Sequence, residues 1–202
     1  MPNHVTNVIT IANAGGVPLE AIHKVFLNDE GHVDFNVIKP EPDCIVGFEP
    51  HMGIVSAANA KTHAPINGNP MIAMLELGNR EKALEEYDSM SEEDKRLVER
   101  AINNINECGY AYWYDWRTDD MNWGTKWNAY GQPEDGYDAE ARTFVFETAW
   151  SRPSRLIKTM SERLPEVTFN IEFADEDLGS NVGTYTIKAG EIIEQDPADG
   201  GL

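Results

Sequence analysis

The residues with chemical potential concentrate in one stretch, Tyr110-Ala-Tyr-Trp-Tyr-Asp-Trp-Arg117 followed by Asn122-Trp-Gly-Thr-Lys-Trp-Asn128. Four of the five tryptophans lie between Trp113 and Trp127. Flat rings with indole N–H donors, one carboxylate (Asp115) and two cations (Arg117, Lys126) suit an aromatic cleft for a ligand, a base or a partner's side chain. The candidate binding set is Trp113, Asp115, Trp116, Arg117, Asn122, Trp123, Lys126 and Trp127. Packing is the competing use, and the first expectation. Trp123 and Trp127 are four apart and Trp113 and Trp116 three apart, so each pair fits one face of a helical turn laid against a sheet. Asp115 would then pair with Lys126 or Arg117, or accept indole N–H bonds.

No other constellation competes with that stretch. The five histidines (His4, His23, His32, His51, His63) are scattered, and only His51 and His63 near Glu49 even suggest a metal. Cys44 and Cys108 form no CxxC pair and cannot supply the four thiolates of an iron–sulfur cluster or zinc ribbon. They read as two isolated thiols rather than a disulfide. No GxGxxG, Walker A, HExxH or GxSxG string occurs. No nucleophile stands beside a matching base. No catalytic residue, metal or cofactor is therefore assigned, and a non-enzymatic protein is expected ahead of an enzyme.

Charge narrows the partners. The 202 residues hold 35 acids against 16 bases, a formal net charge of −19. Nucleic-acid coating needs a surplus of Lys and Arg, and docking on an anionic membrane needs the same. Both are excluded as expectations. The acids gather at Glu81, Glu85, Glu86 and Asp88, at Glu92 to Asp94, at Glu134 to Glu140, and at Asp175 to Asp177. Solvated faces and turns account for such clusters in most proteins. A negative face that competes with nucleic acid for a basic groove is the sharper reading. No run approaches the ~20 apolar residues of a membrane helix. The opening Met-Pro-Asn-His lacks a basic region leading into an apolar one, so a cytoplasmic protein is expected.

The elements that must position these residues follow from periodicity. Val5, Ile9 and Ile11 alternate with Thr6 and Thr10, predicting a first strand that Gly15-Gly16 ends. Pro18 opens a helix through Leu27, and Phe35-Asn36-Val37-Ile38 reads as strand two. Prolines at 40, 42, 50, 65 and 70 argue against long regular elements over 40–77. Asn79 caps a short helix to Tyr87, and Ser91 with Asp94 opens a second, whose stripe is Leu97, Val98, Ala101, Ile102 and Ile105. A strand over 142–150, a helix from Pro153 to Leu164, a strand over 167–174 with Phe169, Ile171 and Phe173 inward, and a strand over 182–188 follow. A short strand at 191–194 and a frayed tail over 196–202 complete the chain.

Strand–helix–strand, insertion, strand–helix–strand and a closing hairpin strand predict an α+β, ferredoxin-like split βαβ fold. Two helices would cover one face of an antiparallel sheet, because one-sided alternation marks antiparallel strands. The core is residues 1–39 with 141–202, and 40–140 is an inserted, mostly helical, Trp-rich subdomain.

Trp113, Asp115, Trp116 and the run Asn122-Trp-Gly-Thr-Lys-Trp127 resemble the signature of the YubB ferredoxin-like domain family of phages and conjugative plasmids. The start Met1-Pro2-Asn3 with Asn7, the segment Phe146-Glu-Thr-Ala-Trp-Ser151 and Gly183-Thr-Tyr185 are similar to it as well. His4-Val5 and Arg152 depart from its pattern. The resemblance implies the fold and a mobile-element origin, and it implies no activity. The expected function is a non-enzymatic accessory binding protein, an acidic nucleic-acid-mimicking inhibitor of a host defence or DNA-handling protein. Its partner would be a host macromolecule, a protein with a basic surface. The alternative is a small-ligand or nucleotide-binding enzyme with a Trp-lined cleft around Asp115 and Lys126.

Overall fold

The computed structural model describes residues 3–62, 70–177 and 182–195, with 70–77 described by backbone alone. In chain order the elements are β1 (His4–Asn13), α1 (Leu19–His23), α2 (Phe35–Ile38), α3 (Met52–Lys61), α4 (Pro70–Asp88), α5 (Glu92–Cys108), α6 (Trp113–Thr118), β2 (Thr143–Ala149), α7 (Ser154–Arg163), β3 (Thr168–Asp175), β4 (Gly183–Lys188) and β5 (Glu191–Gln195). The chain divides into two units, Met1–Pro40 with Arg117–Leu202, and Glu41–Trp116. The sequence pattern carries the insert on to 140, whereas this division ends it at Trp116, inside α6.

The first unit is an α+β fold on a five-stranded antiparallel sheet of order β2-β1-β3-β4-β5. β2 and β3 both run antiparallel to β1 and lie on either side of it. With α7 between them in the chain they form a split βαβ unit around β1. Alternation decides which face is buried. Ile9 pairs with Phe144 on one side and Ile171 on the other, and Ile171 pairs with Tyr185, so one row of apolar side chains crosses four strands. Leu156, Ile157 and Met160 of α7 are buried in the same core, as are Ile22 of α1 and Phe26 just beyond it. Phe26 meets Phe144 edge-on at 4.8 Å. Val5, Ile9 and Ile11 face inward as their alternation predicts, as do Phe169, Ile171 and Phe173. The β4–β5 hairpin turns through Ala189 (φ 51°) and Gly190 (φ 78°), the two left-handed residues of a tight hairpin turn.

The predicted strand two is not a strand. Phe35–Ile38 is a single helical turn, α2, started by Asp34, whose carboxylate accepts from the Asn36 N–H at 2.8 Å. The backbone groups a strand would have offered a neighbour are taken by distant side chains. Asn128 Oδ1 accepts from the Phe35 N–H at 2.8 Å, while Gln132 accepts from the Val33 N–H and donates to the Val33 carbonyl. A segment whose donors and acceptors are already satisfied has nothing left to add to a sheet. The matching outer edge of β2 is closed by a loop. Tyr130 exchanges two backbone bonds with Glu147, and the Tyr137 hydroxyl accepts from the Val145 N–H at 2.8 Å and donates to the Val145 carbonyl. An edge covered in this way is protected from pairing with another chain.

The second unit is helical. Ser91 caps α5 by accepting from the Asp94 N–H at 3.1 Å, and Gly109 (φ 87°) ends the helix in the left-handed conformation. The predicted stripe is correct: Val98 and Ala101 are buried against Ile54, Val55, Ala57 and Ala58 of α3, with Leu97, Ile102 and Ile105 alongside. Two expectations need correction here. Residues 52–61 form a full helix, because Pro50 precedes its first turn and the run Met-Gly-Ile-Val-Ser-Ala-Ala-Asn-Ala-Lys contains no proline. Asn79 caps nothing, since α4 runs through it from Pro70 to Asp88. The predicted tail over 196–202 lies outside the described residues, as does His63.

Candidate functional site

The eight sequence-selected residues fall on both sides of the unit boundary. Trp113, Asp115 and Trp116 belong to the second unit, where Trp113 and Tyr114 of α6 pack against the helical core. Trp116 is buried, and Trp113 meets Tyr112 and Tyr114 edge-on at 6.3 and 5.7 Å. The Tyr112 hydroxyl donates to Met52 Sδ at 3.6 Å, and the Asp115 carboxyl lies near enough to act on it electrostatically. Burial raises the Asp115 carboxyl above the usual aspartate value, and the neighbouring Tyr112 hydroxyl offsets part of that rise. Burial, then the Asp115 charge, pushes the Tyr112 hydroxyl up to about 12. Both shifts have the same cause, a carboxylate and a phenol taken partly out of water.

Arg117, Asn122, Trp123, Lys126 and Trp127 belong to the first unit. Trp123 is 0% exposed; its indole N–H donates to the Lys39 carbonyl at 2.9 Å and its ring meets Phe35 edge-on at 5.6 Å. The Arg117 guanidinium lies 4.8 Å from the Trp123 ring, and Asn122 is buried. Trp123 and Trp127 do not share a helical face as their spacing predicts. The Asp119 carbonyl accepts from both the Asn122 and Gly124 N–H groups, and Gly124 at φ 68° turns the chain out of any helix. Packing, the first expectation, describes Trp116 and Trp123 well. Trp113, Asp115, Arg117, Lys126 and Trp127 are half-buried.

Lys126 leads to a group the sequence did not single out. Its ammonium lies 5.2 Å from the Trp127 ring and 5.0 Å from that of Trp150, within cation–π range of both. Trp150 follows β2, is 45% exposed, and has φ 70°. A left-handed bulky residue is an outlier that surrounding structure must impose. Three contacts impose it. The Trp150 N–H donates to the Asn3 carbonyl at 2.8 Å, Thr125 Oγ1 donates to the Ala149 carbonyl at 2.9 Å, and the Ser151 hydroxyl donates to the Gly124 carbonyl.

One strand away the same rim carries His4, which pairs with Ala149 across the β1–β2 ladder. Its Nδ1 lies 2.7 Å from the Tyr130 hydroxyl and 3.5 Å from Glu147 Oε2. Burial raises the Tyr130 hydroxyl, and the nearby Glu147 and Glu176 charges raise it further. His4, Thr6, Glu147, Ala174, Asp175 and Glu176 line a hollow of about 360 Å³. Glu176 is held there by its N–H, which donates to the His4 carbonyl at 3.1 Å.

The hollow opens on the uncovered face of the sheet. In register that face carries Glu147–Thr6–Ala174, then Val145–Val8–Glu172–Thr184, then Thr143–Thr10–Asn170–Thr186–Glu194. Short hydroxyl and aliphatic side chains leave the carboxylates standing above their neighbours, and Lys188 supplies a cation at one end. Three carboxylates around a hollow, with an exposed indole beside it, suit a guanidinium or ammonium group. Among the described residues no group of three or more His, Cys, Asp or Glu could hold a metal ion. No helix among them is long and apolar enough to cross a membrane.

Residues 126–202 match a family model described as a ferredoxin-like domain in Api92-like protein. The ferredoxin-like reading of the fold stands. The match begins at Lys126 and spans β2, α7 and β3 to β5, so it includes Trp127, Tyr130, Glu147, Trp150, Asp175 and Glu176 of the rim. No curated protein and no solved structure matches the chain.

Proposed function

We propose that the chain is a non-enzymatic binding protein whose first unit receives a basic surface of a partner protein on the rim of its sheet. The hollow formed by His4, Glu147, Asp175 and Glu176 beside the exposed Trp150 carries this reading. Arginine or lysine side chains of the partner would enter the hollow, with an adjacent cation displacing Lys126 over the Trp150 ring. Glu172 and Glu194 extend the negative field over the open face, so a groove that otherwise holds phosphates fits the same surface. The likeness of residues 110–128 to the YubB ferredoxin-like domains of phages and plasmids supports a host protein as the partner, bound in competition with nucleic acid. The Trp-lined enzyme cleft has less support, because Trp116 and Trp123 are core residues.

A fluorescent arginine-rich peptide of defined length tests the reading by anisotropy. Binding is expected to weaken steeply as salt rises and to fall at least tenfold when Glu147, Asp175 and Glu176 are changed together to Gln, Asn and Gln. An affinity indifferent to those three changes would sink it.

A further inference from the structure

The second unit holds a pair of thiols that its backbone has brought together. Cys44 Sγ lies 3.2 Å from Cys108 Sγ, although 64 positions separate them in the chain. Neither position is loosely held. Cys44 sits in a turn in which the Ile45 N–H donates to the Pro42 carbonyl and the Phe48 N–H to the Ile45 carbonyl. Ile45 is completely buried and Phe48 nearly so, and the Arg100 guanidinium of α5 lies 4.3 Å from the Phe48 ring. Cys108 is the last residue of α5, fixed by Gly109, whose N–H donates to the Ile105 carbonyl at 2.9 Å. Both cysteines are partly accessible to solvent. A disulfide needs its sulfurs at about 2.05 Å, so they have only about 1.2 Å further to close.

We infer that Cys44 and Cys108 are a reversible dithiol–disulfide site that exchanges with low-molecular-weight disulfides of the glutathione class and, when oxidised, ties the 43–47 turn to the end of α5. The two thiols are free, as expected of a pair not joined in a disulfide, but they are in contact. Exchange enters at Cys108, whose sulfur accepts the Cys44 S–H at 3.2 Å, while burial and that contact raise the Cys44 thiol. The Cys108 sulfur attacks oxidised glutathione, forming a mixed disulfide and releasing one glutathione thiol. The Cys44 sulfur then attacks the Cys108 sulfur, forming the internal bond and releasing the second. Two protein thiols are oxidised, one glutathione disulfide is reduced, and the two protons end on the two glutathione sulfurs.

The test is intact mass measurement on the full chain after incubation with oxidised glutathione, followed by peptide mapping without reductant. The expected result is a monomer about 2 Da lighter than the reduced chain, with the Cys44 and Cys108 peptides joined and the mass restored by dithiothreitol. In Cys44→Ser the first step is expected to stop at a stable Cys108 adduct about 305 Da heavier, while Cys108→Ser stays unmodified over the same interval. Two free, fully alkylated thiols after the wild-type incubation would overturn the proposal. A wild-type chain carrying two glutathione caps would overturn it equally, because neighbouring thiols would then have failed to resolve.

Discussion

The two units put the same residue types to opposite uses. In the helical unit, Trp116 is buried and Trp113 packs, partly buried, against a core built from α3, α5 and the Ala111–Tyr112 segment. In the sheet unit, helices cover one face only, so Trp123 joins the core while Trp150 and the carboxylates of the opposite face stay in contact with water. A bundle can surround its apolar residues, whereas a sheet covered on one side necessarily presents a second surface. The exposed carboxylates and indole proposed to receive a partner therefore belong to the sheet unit rather than to residues 110–116.

The sharpest way to break this comparison is to truncate one tryptophan from each side of the sheet unit. Trp123→Ala is expected to cost about 3–5 kcal/mol in urea unfolding, because it empties a buried indole site and leaves the Lys39 carbonyl without its donor. Trp150→Gly should behave oppositely. It relieves a left-handed conformation that costs an L-residue about 1–2 kcal/mol, so stability is expected to rise by up to about 1 kcal/mol while peptide binding falls. Equal destabilisation by the two changes would erase the distinction between core and surface.

The helical unit has its own signature in pH. The Asp115 carboxyl is raised in the folded chain, so between its ordinary value of 3.8 and the higher folded value the folded state binds more protons than the unfolded one. Stability is therefore lost as pH rises through that window. Asp115→Asn, which removes the titrating carboxyl, is expected to flatten this part of the profile, read from melting temperatures from about pH 3.5 upward. A wild-type profile that climbs steadily through the window, unchanged by the variant, would contradict the assignment.

The smallest effect concerns the middle of the sheet. Asn7 is fully buried and donates to Thr148 Oγ1 at 2.9 Å and to the Val5 carbonyl, but among the described residues its Oδ1 finds no donor. Replacing the pair together, Asn7→Val with Thr148→Val, removes both polar partners and the orphan acceptor. The double variant is expected to lie within about 1 kcal/mol of wild type, and Asn7→Val alone to be the worse of the two.

Much of the fold could be read from residue order. The alternation of Val5, Ile9 and Ile11, and of Phe169, Ile171 and Phe173, predicts which side of each strand is buried, because a strand's period of two is a local property. The Ser91 cap and the Val98–Ala101 stripe are legible for the same reason. Phe35–Ile38 misleads, because its apolar run has strand character while Asn128 and Gln132 arrive from elsewhere in the chain to take the backbone groups around it. The rim is the least legible part. Trp150 has the parity of a core position at the end of β2, and only its left-handed backbone turns it outward.

From its sequence alone this protein determined a mixed α+β composition, an antiparallel sheet buried on one face and a surplus of negative charge. These depend on neighbours a few positions apart and on a sum over residues. Tertiary structure decided which indoles became core, that Glu147, Asp175 and Glu176 face one hollow with His4, and that Cys44 reaches Cys108. Each of those depends on bringing together residues tens of positions apart, a juxtaposition carried by long-range packing and hydrogen bonds rather than by any local period.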